Sequence, residues 1–338
     1  MILYVTEQGA KIQHVAGRIV VRRDDHIIQE VPDFKLKQII VFGNNMMTSG
    51  AIDYCFEQGI DVAFLSTTGR YKGRLEPPFS RNAALRRRQY ERISNPDFCR
   101  ANAAAIVVGK IRNMIAMVRR QRRLRDEGRS PVGEMEAILP KAAAAGNLDS
   151  LNGFEGTSTA AYFRAFRAAL KSDWEFEARQ YHPPSDPVNA LLSFGYTLLY
   201  NDVYVAINIA GLDAGLGVLH RPRPGHHSLA SDLMEEHRAA LVDRLVLTAL
   251  NKRILIETDF ILTPELKIRL APAALKRFLE LYGRQLGEMH FYPAQTIRTT
   301  YRRILEEQAR HFARVVLGEE PVYQSFSAEL SFNADPQS

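Results

Sequence analysis

The sequence predicts an α+β protein with two domains, a small β-rich N-terminal domain and a larger all-α domain after it. A chain of 338 residues is too long for one ordinary hydrophobic core. Its first part consists of short β-rich runs, whereas long segments with helical periodicity follow the linker-like Glu76-Pro77-Pro78. We therefore predict a β-rich domain at 1–76, a linker at 77–88, a helical domain at 89–325 and a flexible tail at 326–338.

Strand and turn signals alternate through the N-terminal domain. Glycine, proline and aspartate separate five β-rich runs, at 2–5, 11–15, 18–23, 26–31 and 36–42. The stretch TSGAIDYCFEQGI is typical of a capped helix, with Thr48 or Ser49 at its start and Gly59 at its end. A further strand is expected at 61–66.

The rest of the chain is predicted to be mainly helical, because its apolar residues recur every three or four positions. A short extended pair, FILT and KIRL around Pro264, interrupts the helices, and the stretch YHPPSDP at 181–187 is expected to be a loop. The predicted helical segments are 81–94, 96–126, 133–145, 157–171, 187–211, 231–251 and 294–317.

Composition argues against several classes of protein. There is no run of 18 apolar residues, so no transmembrane helix is expected. The N-terminus MILYVTEQG lacks the layout of a signal peptide. The only cysteines, Cys55 and Cys99, have no CxxC spacing, which argues against a disulfide framework and against a cysteine zinc site. We expect an intracellular, reduced protein located in the cytoplasm.

Positive charge is concentrated in one segment. Residues 81–125 contain thirteen Arg and Lys residues against Glu91 and Asp97, a net charge of +11 in a chain whose total is +6. Arginine, which binds phosphate in a bidentate manner, outnumbers lysine there. A solvated helix face is the alternative, but the imbalance favours a surface that binds a polyanion.

The stretch HRPRPGHHSLASDLMEEH, residues 220–237, combines a basic loop with an acidic helix start. Its prolines and glycine exclude a regular helix in the first half. A helix is expected from Ser231, the possible cap, so that Asp232 and Glu235 lie on one face in its first turn. Such an acidic turn is also routine helix punctuation, and His220 alone is a weak signal. His226 and His227 resemble loop residues more than ligands.

A third piece of the same pattern is LNGFEGTSTAAYFRAF, residues 151–166. Glu155 is predicted to lie where a loop becomes a helix, although an ordinary acid at a helix N-terminus is the alternative. Together, one imidazole and two or three carboxylates would suit Mg²⁺, and the imidazole would add tolerance for Mn²⁺. Arg221 and Arg223 flank His220, and a metal beside guanidinium groups is the arrangement that phosphoryl transfer requires.

Three motifs carry a resemblance to a known family. They are Glu155-Gly156 with Phe163, the stretch DPVNALLSFGYTLLY (186–200), and the stretch GLGVLHRPRPGHHSLASDLMEEHR (215–238). These resemble the CRISPR-associated integrase family Cas1, and the similarity covers nearly the whole chain. The resemblance implies an N-terminal β domain that mediates a homodimer and an all-helical C-terminal catalytic domain.

The resemblance also implies roles for individual residues. Glu155, His220 and Glu235 match the family's metal ligands, and Asp232 matches an additional acidic catalytic residue beside them. Residues that match DNA-contacting positions or flank the site are Arg221, Arg223, Arg238, Tyr162 and Tyr196. Core packing is an equal alternative for the two tyrosines. The pair His226-His227 departs from many relatives, so its role is not implied.

The implied function is spacer acquisition in CRISPR antiviral defence. Two Cas1 dimers bridged by a Cas2 dimer would join the 3′-hydroxyl ends of a short DNA duplex to the CRISPR repeat. This transesterification needs Mg²⁺ or Mn²⁺ but no ATP, and the same site could cleave or resolve branched DNA. The alternatives are a non-catalytic DNA-bridging scaffold and a branched-DNA repair nuclease unrelated to CRISPR.

Overall fold

The chain divides into two compact units in the computed structural model. One unit comprises Met1–Ser80 and Leu270–Gly283, and the other comprises Arg81–Arg269 and Arg284–Ser338. The structure describes residues 1–24, 26–67, 71–75, 82–121, 129–172, 174–180, 184, 186–263 and 268–333. Several predicted features fall outside these residues: the linker Glu76-Pro77-Pro78 with the predicted domain boundary, Pro264, most of the loop at 181–187, and the end of the tail.

The first unit contains two four-stranded sheets. One has the order β1-β5-β7-β8, in which only the β7–β8 pair is antiparallel, and the other has the order β4-β3-β2-β6. The strands are β1 (Ile2–Val5), β2 (Lys11–Val15), β3 (Arg18–Arg23), β4 (His26–Pro32), β5 (Gln38–Phe42), β6 (Met46–Met47), β7 (Asp61–Leu65) and β8 (Tyr71–Leu75). The predicted strands are confirmed, and β6 and β8 were not predicted.

Local signals explain the α-helix inserted between β6 and β7. Helix α1 (Ser49–Gln58) begins after Thr48, whose side chain accepts a hydrogen bond from the Ala51 backbone N–H. It ends at Gly59, which adopts the left-handed conformation with φ 64°. Both predicted caps are therefore confirmed.

The second unit is mostly helical, as predicted. Its helices, together with α9 (whose residues are divided between the units), are α2 (Ala83–Ile93), α3 (Pro96–Arg120), α4 (Arg129–Ala143), α5 (Leu148–Ala169), α6 (Pro187–Ala210), α7 (Ser228–His237), α8 (Arg244–Asn251), α9 (Pro272–Gly287), α10 (Tyr301–Leu317) and α11 (Ala328–Asn333). A π-helical segment, Arg238–Asp243, joins α7 to α8. Two short two-stranded sheets are formed by β9 (Phe260–Leu262) with β10 (Ile268–Leu270) and by β11 (Met289–Tyr292) with β12 (Ile297–Thr300), and the second pair is an antiparallel hairpin.

Several predicted helix boundaries are wrong: α3 ends at Arg120 and not at 126, α4 already includes Arg129 before the predicted start at 133, and three further starts differ. Helix α5 begins at Leu148 after the capping side chain of Asn147, so the predicted start at 157 is too late. Helix α7 begins at Ser228, one turn before the predicted cap. Helix α10 begins at Tyr301, because the β11–β12 hairpin occupies the first residues of the predicted segment.

Helix α9 was not predicted, and the C-terminal segment was not expected to be folded. In α9, Ala274, Phe278 and Tyr282 are buried at helical spacing. Residues from 326 were expected to form a flexible tail, but Phe326 is only 2% exposed and α11 follows it. The backbone N–H of Phe326 donates to a buried carboxylate oxygen of Glu236, which fixes this segment.

Helices α3 and α6 form the apolar centre of the second unit. By length and composition each could cross a membrane. Within the structure, however, 83% of the apolar 18-residue stretch of α3 and 72% of that of α6 are buried. Such burial is what core helices of a globular protein show, because their apolar residues face neighbouring helices.

Candidate active site

Two glutamates from different helices converge on one cation. The Lys110 ammonium, on α3, donates a hydrogen bond to Oε1 of Glu155 on α5. The same ammonium lies 2.6 Å from Oε2 of Glu235 on α7. Thr159, one turn after Glu155, donates to the same Glu155 oxygen at 2.9 Å. The fold therefore brings together two carboxylates that lie far apart in the sequence.

Glu235 is held in its charged form although it is buried. Its side chain is 5% exposed, and Arg238 pairs with Oε1 at 3.0 Å. Burial raises the pKa of Glu235, but Arg238 and Lys110 outweigh it and lower the pKa to about 2. Burial in turn lowers the pKa of Lys110, whereas Glu235 and Glu155 raise it above its ordinary value. Among the residues that the structure describes, none donates a hydrogen bond of good geometry to Oε2 of Glu235, although the ammonium lies beside it.

The histidine of the predicted ligand set is fixed by Asp232. Oδ1 of Asp232 lies 2.7 Å from Nδ1 of His220 and also accepts the His220 backbone N–H at 2.9 Å. Oδ2 of Asp232 accepts the backbone N–H groups of Val218 and Leu219. Burial lowers the pKa of His220, but the hydrogen bond and charge of Asp232 raise it above its ordinary value. With Nδ1 engaged, Nε2 is the ring nitrogen left to act as a ligand.

The structure corrects the predicted position of Asp232 in its helix. The residue lies inside α7 rather than in its first turn, and its side chain is fully buried. Both of its oxygens are bound by backbone N–H groups or by the imidazole, so its contacts position His220, and its catalytic role stays a prediction. Glu155 also lies in the middle of α5 and not at a loop-to-helix junction.

A small pocket beside the glutamates is lined by two tyrosines and two arginines. Tyr162 and Tyr196 each donate a hydrogen bond to Asp243, at 2.9 Å and 2.6 Å. The guanidinium groups of Arg179 and Arg238 lie 5.4 Å and 4.7 Å from the centre of the Tyr196 ring. Burial raises the pKa of Asp243 to about 6, although the hydrogen bonds of the two tyrosines lower it.

This arrangement decides between the two readings of the tyrosines. Tyr162 is 1% exposed and Tyr196 is 9% exposed, and both hydroxyl groups are bound to the buried Asp243. Core packing is therefore what the structure shows for both side chains, and the contact of Tyr162 with DNA stays a prediction. The ring of Tyr196 packs against the guanidinium group of Arg238, which forms an ion pair with Glu235.

The predicted basic residues differ in their surroundings. Arg221 and Arg223 lie on the exposed loop before α7, where Arg221 pairs with Asp149 at 3.5 Å. His226 Nε2 lies 3.0 Å from Ser231 Oγ, and the His227 ring packs edge-on against Tyr204 at 4.2 Å. These two histidines are therefore loop residues with structural partners, as predicted.

Lys110 is the functional candidate that the sequence analysis missed, because it was counted with the basic surface. The signal was its position: it is the only charged residue between Arg100 and Arg112, in the apolar stretch ANAAAIVVGKI. A lone charge in such a helix needs a buried partner. Two other arginines of the basic segment, Arg88 and Arg119, are exposed and paired with glutamates. The arginines that lie outside the described residues are Arg81, Arg122, Arg123 and Arg125.

Glu155, Glu235 and His220 are residue types that bind divalent cations, but they are not arranged as a metal-binding cluster. Within the described part of the chain, no three His, Cys, Asp or Glu side chains are arranged closely enough to hold a metal. Glu155 and Glu235 do share one cation, the ammonium of Lys110, and Asp232 orients the imidazole of His220 as outer partners of metal-binding histidines do. Two carboxylates and one imidazole are a ligand set for Mg²⁺ or Mn²⁺.

Comparisons with known proteins agree on one family. The family model described as CRISPR associated protein Cas1 matches residues 3–284. The CRISPR-associated endonuclease Cas1 3 of Thermus thermophilus is 35% identical over 328 residues, which cover 96% of this chain and 97% of that protein.

Solved structures show the same fold. The chain matches a Cas6-RT-Cas1–Cas2 complex with a TM-score of 0.84 and 26% identity, covering 97% of this chain and 36% of the longer one. A casposase bound to integration product matches with a TM-score of 0.85 and 22% identity, covering 100% of this chain and 96% of that one. Because the casposase is only 22% identical, this match is evidence for the fold alone.

Proposed function

Because this chain belongs to the Cas1 family of CRISPR-associated proteins, we propose that it is a metal-dependent DNA integrase and endonuclease of CRISPR adaptation, acting in the cytoplasm. One observation carries the proposal: Glu155 and Glu235 converge on a single cation, and the charge of His220, which Asp232 holds in one orientation, helps to lower the pKa of Glu235. Two carboxylates and one imidazole are ligand types that could hold the divalent ion used in phosphodiester chemistry.

The proposed reaction exchanges one phosphodiester bond for another. The 3′-hydroxyl oxygen of a short duplex forms a bond with a phosphorus atom of the CRISPR repeat, and the bond from that phosphorus to its former 3′-oxygen breaks. The attacking hydroxyl loses its proton and the released 3′-oxygen gains one, so no ATP is consumed. With water in place of the 3′-hydroxyl, the same site would cleave DNA or resolve a branched DNA.

Glu155, His220 and Glu235 would hold the Mg²⁺ or Mn²⁺ ion. When bound, the metal would polarise a phosphate oxygen and favour ionisation of the nucleophile. Asp232 fixes the His220 ring so that Nε2 faces away from the carboxylate it is bound to. Arg238 keeps Glu235 ionised and presents positive charge beside it, where charge develops on the transferred phosphoryl group.

The proposal includes partners. A Cas2 partner is supported by the likeness to the Cas6-RT-Cas1–Cas2 complex. Double-stranded and branched DNA are the proposed substrates, and the exposed Arg221 and Arg223 are the proposed contacts to the DNA backbone beside His220. Two homodimers joined by one Cas2 dimer are the proposed assembly.

The test is strand transfer of a duplex with 3′-hydroxyl ends into supercoiled repeat DNA, with Mn²⁺ or Mg²⁺ and with or without the cognate Cas2. Glu155→Gln and His220→Ala should each lower the rate at least 100-fold, because each removes a proposed metal ligand. Glu136→Gln is the matched control, because Glu136 is a half-exposed glutamate on α4 that pairs with Arg119. Wild-type rates in the first two variants would refute the proposed function.

A non-catalytic, DNA-bridging scaffold is favoured by one observation. The positive charges of Lys110 and Arg238 already balance Glu155 and Glu235. Anomalous scattering from crystals soaked in Mn²⁺ separates the two functions: manganese bound at Glu155 supports the integrase, whereas intact DNA binding without manganese supports the scaffold.

A further inference from the structure

We propose that Lys110 is a tethered cation that occupies the metal position in the metal-free protein and is displaced when the divalent ion binds. The proposal rests on the proposed function, because it concerns the same site. It adds a residue that acts on the metal equilibrium and is itself no ligand. Lys110 is therefore a positioning residue rather than a catalytic one.

The geometry of the ammonium is the first argument. Its nitrogen contacts one oxygen of Glu155 and lies 2.6 Å from one oxygen of Glu235, so it lies between the two carboxylates. A divalent ion that used the same two carboxylates would need the same space. The Lys110 side chain is 7% exposed, and it cannot be an incidental surface contact.

Charge is the second argument. Glu155 and Glu235 supply two negative charges, and Lys110 and Arg238 supply two positive ones. These four charges balance one another without metal, and a divalent ion added between the two carboxylates would leave an excess of two positive charges among them. Like charges at such distances repel strongly where water is excluded. One of the two protein cations must therefore move away from the carboxylates.

Packing indicates that Lys110 is the one that moves. Arg238 is held by Glu235 and by the face of the Tyr196 ring, 4.7 Å from its centre. The Lys110 ammonium is held only by the two carboxylates in the contacts described, at the end of a flexible four-carbon chain. The backbone of α3 itself is fixed, because Gly109 lies directly against the Ser325 side chain. The side chain can therefore swing while its helix stays in place.

The consequence is that the Lys110 ammonium and the metal ion compete for the same two carboxylates. The ammonium offsets the repulsion between the two carboxylates in the metal-free protein. It must give up both contacts when Mn²⁺ enters, which weakens the apparent affinity for the metal. Loss of the ammonium should therefore destabilise the metal-free protein and, at the same time, tighten metal binding.

The experiment compares Mn²⁺ binding by the wild type, Lys110→Met and Lys141→Met, using isothermal titration calorimetry and electron paramagnetic resonance, with thermal unfolding of each metal-free protein. Methionine keeps the unbranched shape and most of the length of the lysine side chain and removes the charge. Lys141, exposed on α4, is the matched control for loss of one positive charge. Glu155→Gln reports whether the measured binding belongs to this site.

We expect Lys110→Met to bind Mn²⁺ about tenfold more tightly, equivalent to about 1.4 kcal/mol, and to melt at a lower temperature without metal. Lys141→Met should match the wild type in both measurements. Equal or weaker Mn²⁺ binding by Lys110→Met would overturn the proposal. Absence of Mn²⁺ binding in every variant would instead refute the metal-dependent function itself.

A second measurement does not depend on the folding of Lys110→Met. A crystal structure of the wild type soaked in Mn²⁺ should show the ammonium displaced from its position 2.6 Å from Oε2 of Glu235. An ammonium that stays between the carboxylates with Mn²⁺ bound to them would overturn the proposal.

Discussion

Oδ1 of Asp232 lies 2.7 Å from Nδ1 of His220, and the same carboxylate accepts the backbone N–H of the residue that it orients. Ring and backbone of His220 are thus held by one buried side chain. A histidine fixed in this way loses little conformational entropy when it binds a ligand. The cost of this arrangement is that several buried donors depend on a single carboxylate.

We predict that Asp232→Ala destabilises the protein and weakens metal binding together. Three backbone N–H groups, of Val218, Leu219 and His220, would lose their acceptor. Each unpaired buried donor costs about 1–3 kcal/mol, so urea unfolding should show a loss of at least about 3 kcal/mol. The affinity for Mn²⁺ should fall about 10–100-fold.

Asp149→Ala is the control for Asp232→Ala, because Asp149 is exposed and lies in the first turn of α5. Asp232→Asn should be intermediate, since it keeps one of the two acceptor oxygens. Unchanged Mn²⁺ affinity in both Asp232 variants would contradict the assigned positioning role.

Two glycines near the site should respond to alanine in opposite directions. A Cβ at Gly217 would lie 2.5 Å from Oδ2 of Asp232 and 2.8 Å from the Ser228 backbone, so Gly217→Ala must displace the carboxylate that holds His220. We expect a loss of about 1–3 kcal/mol in stability and weaker Mn²⁺ binding. Gly156, inside α5, has nothing within 4 Å of its Cβ position.

Gly156→Ala should therefore stabilise the protein by about 0.4–1 kcal/mol, because alanine restricts the unfolded chain and favours the helix. Thermal and urea unfolding of the two variants, with Mn²⁺ titration, measure both effects. Equal unfolding free energies for the two variants would contradict the described packing around Gly217.

Much of the fold could be predicted because its signals are local. Caps, turn residues and hydrophobic period lie within a few residues of one another, and Thr48 and Gly59 bound α1 as their side-chain chemistry indicates. Boundaries failed where local signals compete. Ser228 and Ser231 are both residues typical of a helix start. The prediction placed the cap at Ser231, but the helix begins at Ser228.

The contacts of the site could be predicted only in part. The residue types at Glu155, His220 and Glu235 indicated a common site, but nothing local pairs Lys110 with Glu155, which lies 45 residues further along the chain. Pairing at that distance is decided by how α3, α5 and α7 pack. The engagement of Asp232 with three backbone N–H groups is also a property of the folded loop and has no signature in the sequence.

We predict that the hydroxyl groups of Tyr162 and Tyr196 act on stability through Asp243. Tyr162→Phe and Tyr196→Phe should each cost about 1–3 kcal/mol, because each removes a hydrogen-bond donor from a buried carboxyl group. The double variant should differ from the sum of the single ones, since both hydroxyl groups share one partner. Urea unfolding of the three variants measures the coupling.

DNA affinity provides the second measurement for these variants. Tyr162→Phe should leave it unchanged, because the side chain is 1% exposed. Tyr90→Phe, at an exposed tyrosine that donates to Asp213, controls for loss of a surface hydroxyl group. A Tyr162→Phe variant of normal stability with weaker DNA binding would support the role predicted from the sequence.

Stability should depend on pH through Asp243. Burial raises its pKa to about 6 from an ordinary value of 3.8, so the folded protein binds this proton more tightly than the unfolded chain does. The stability contributed by the protonated carboxyl group is therefore complete below about pH 4 and is lost as the pH rises through about 6. The full difference is on the order of 3 kcal/mol.

Asp243→Asn lacks this titration. The difference in unfolding free energy between the wild type and Asp243→Asn should favour the wild type most near pH 4 and become smaller towards pH 7. Asp149→Asn, an exposed site, should show no such trend. Urea unfolding at several pH values measures it, and a difference that is constant or grows with pH would contradict the assignment.

The last prediction concerns Arg112, an exposed arginine of α3 between the buried Ile111 and Asn113. If this part of the basic segment binds the DNA backbone, Arg112→Gln should make the dependence of log affinity on log salt less steep by about 0.9, the value for one phosphate contact on duplex DNA. The loss should be the same for duplexes of different sequence, because phosphate contacts carry no base information. Arg167→Gln is the control, since its guanidinium already pairs with Glu177, and equal slopes for both variants would place the DNA-binding surface elsewhere.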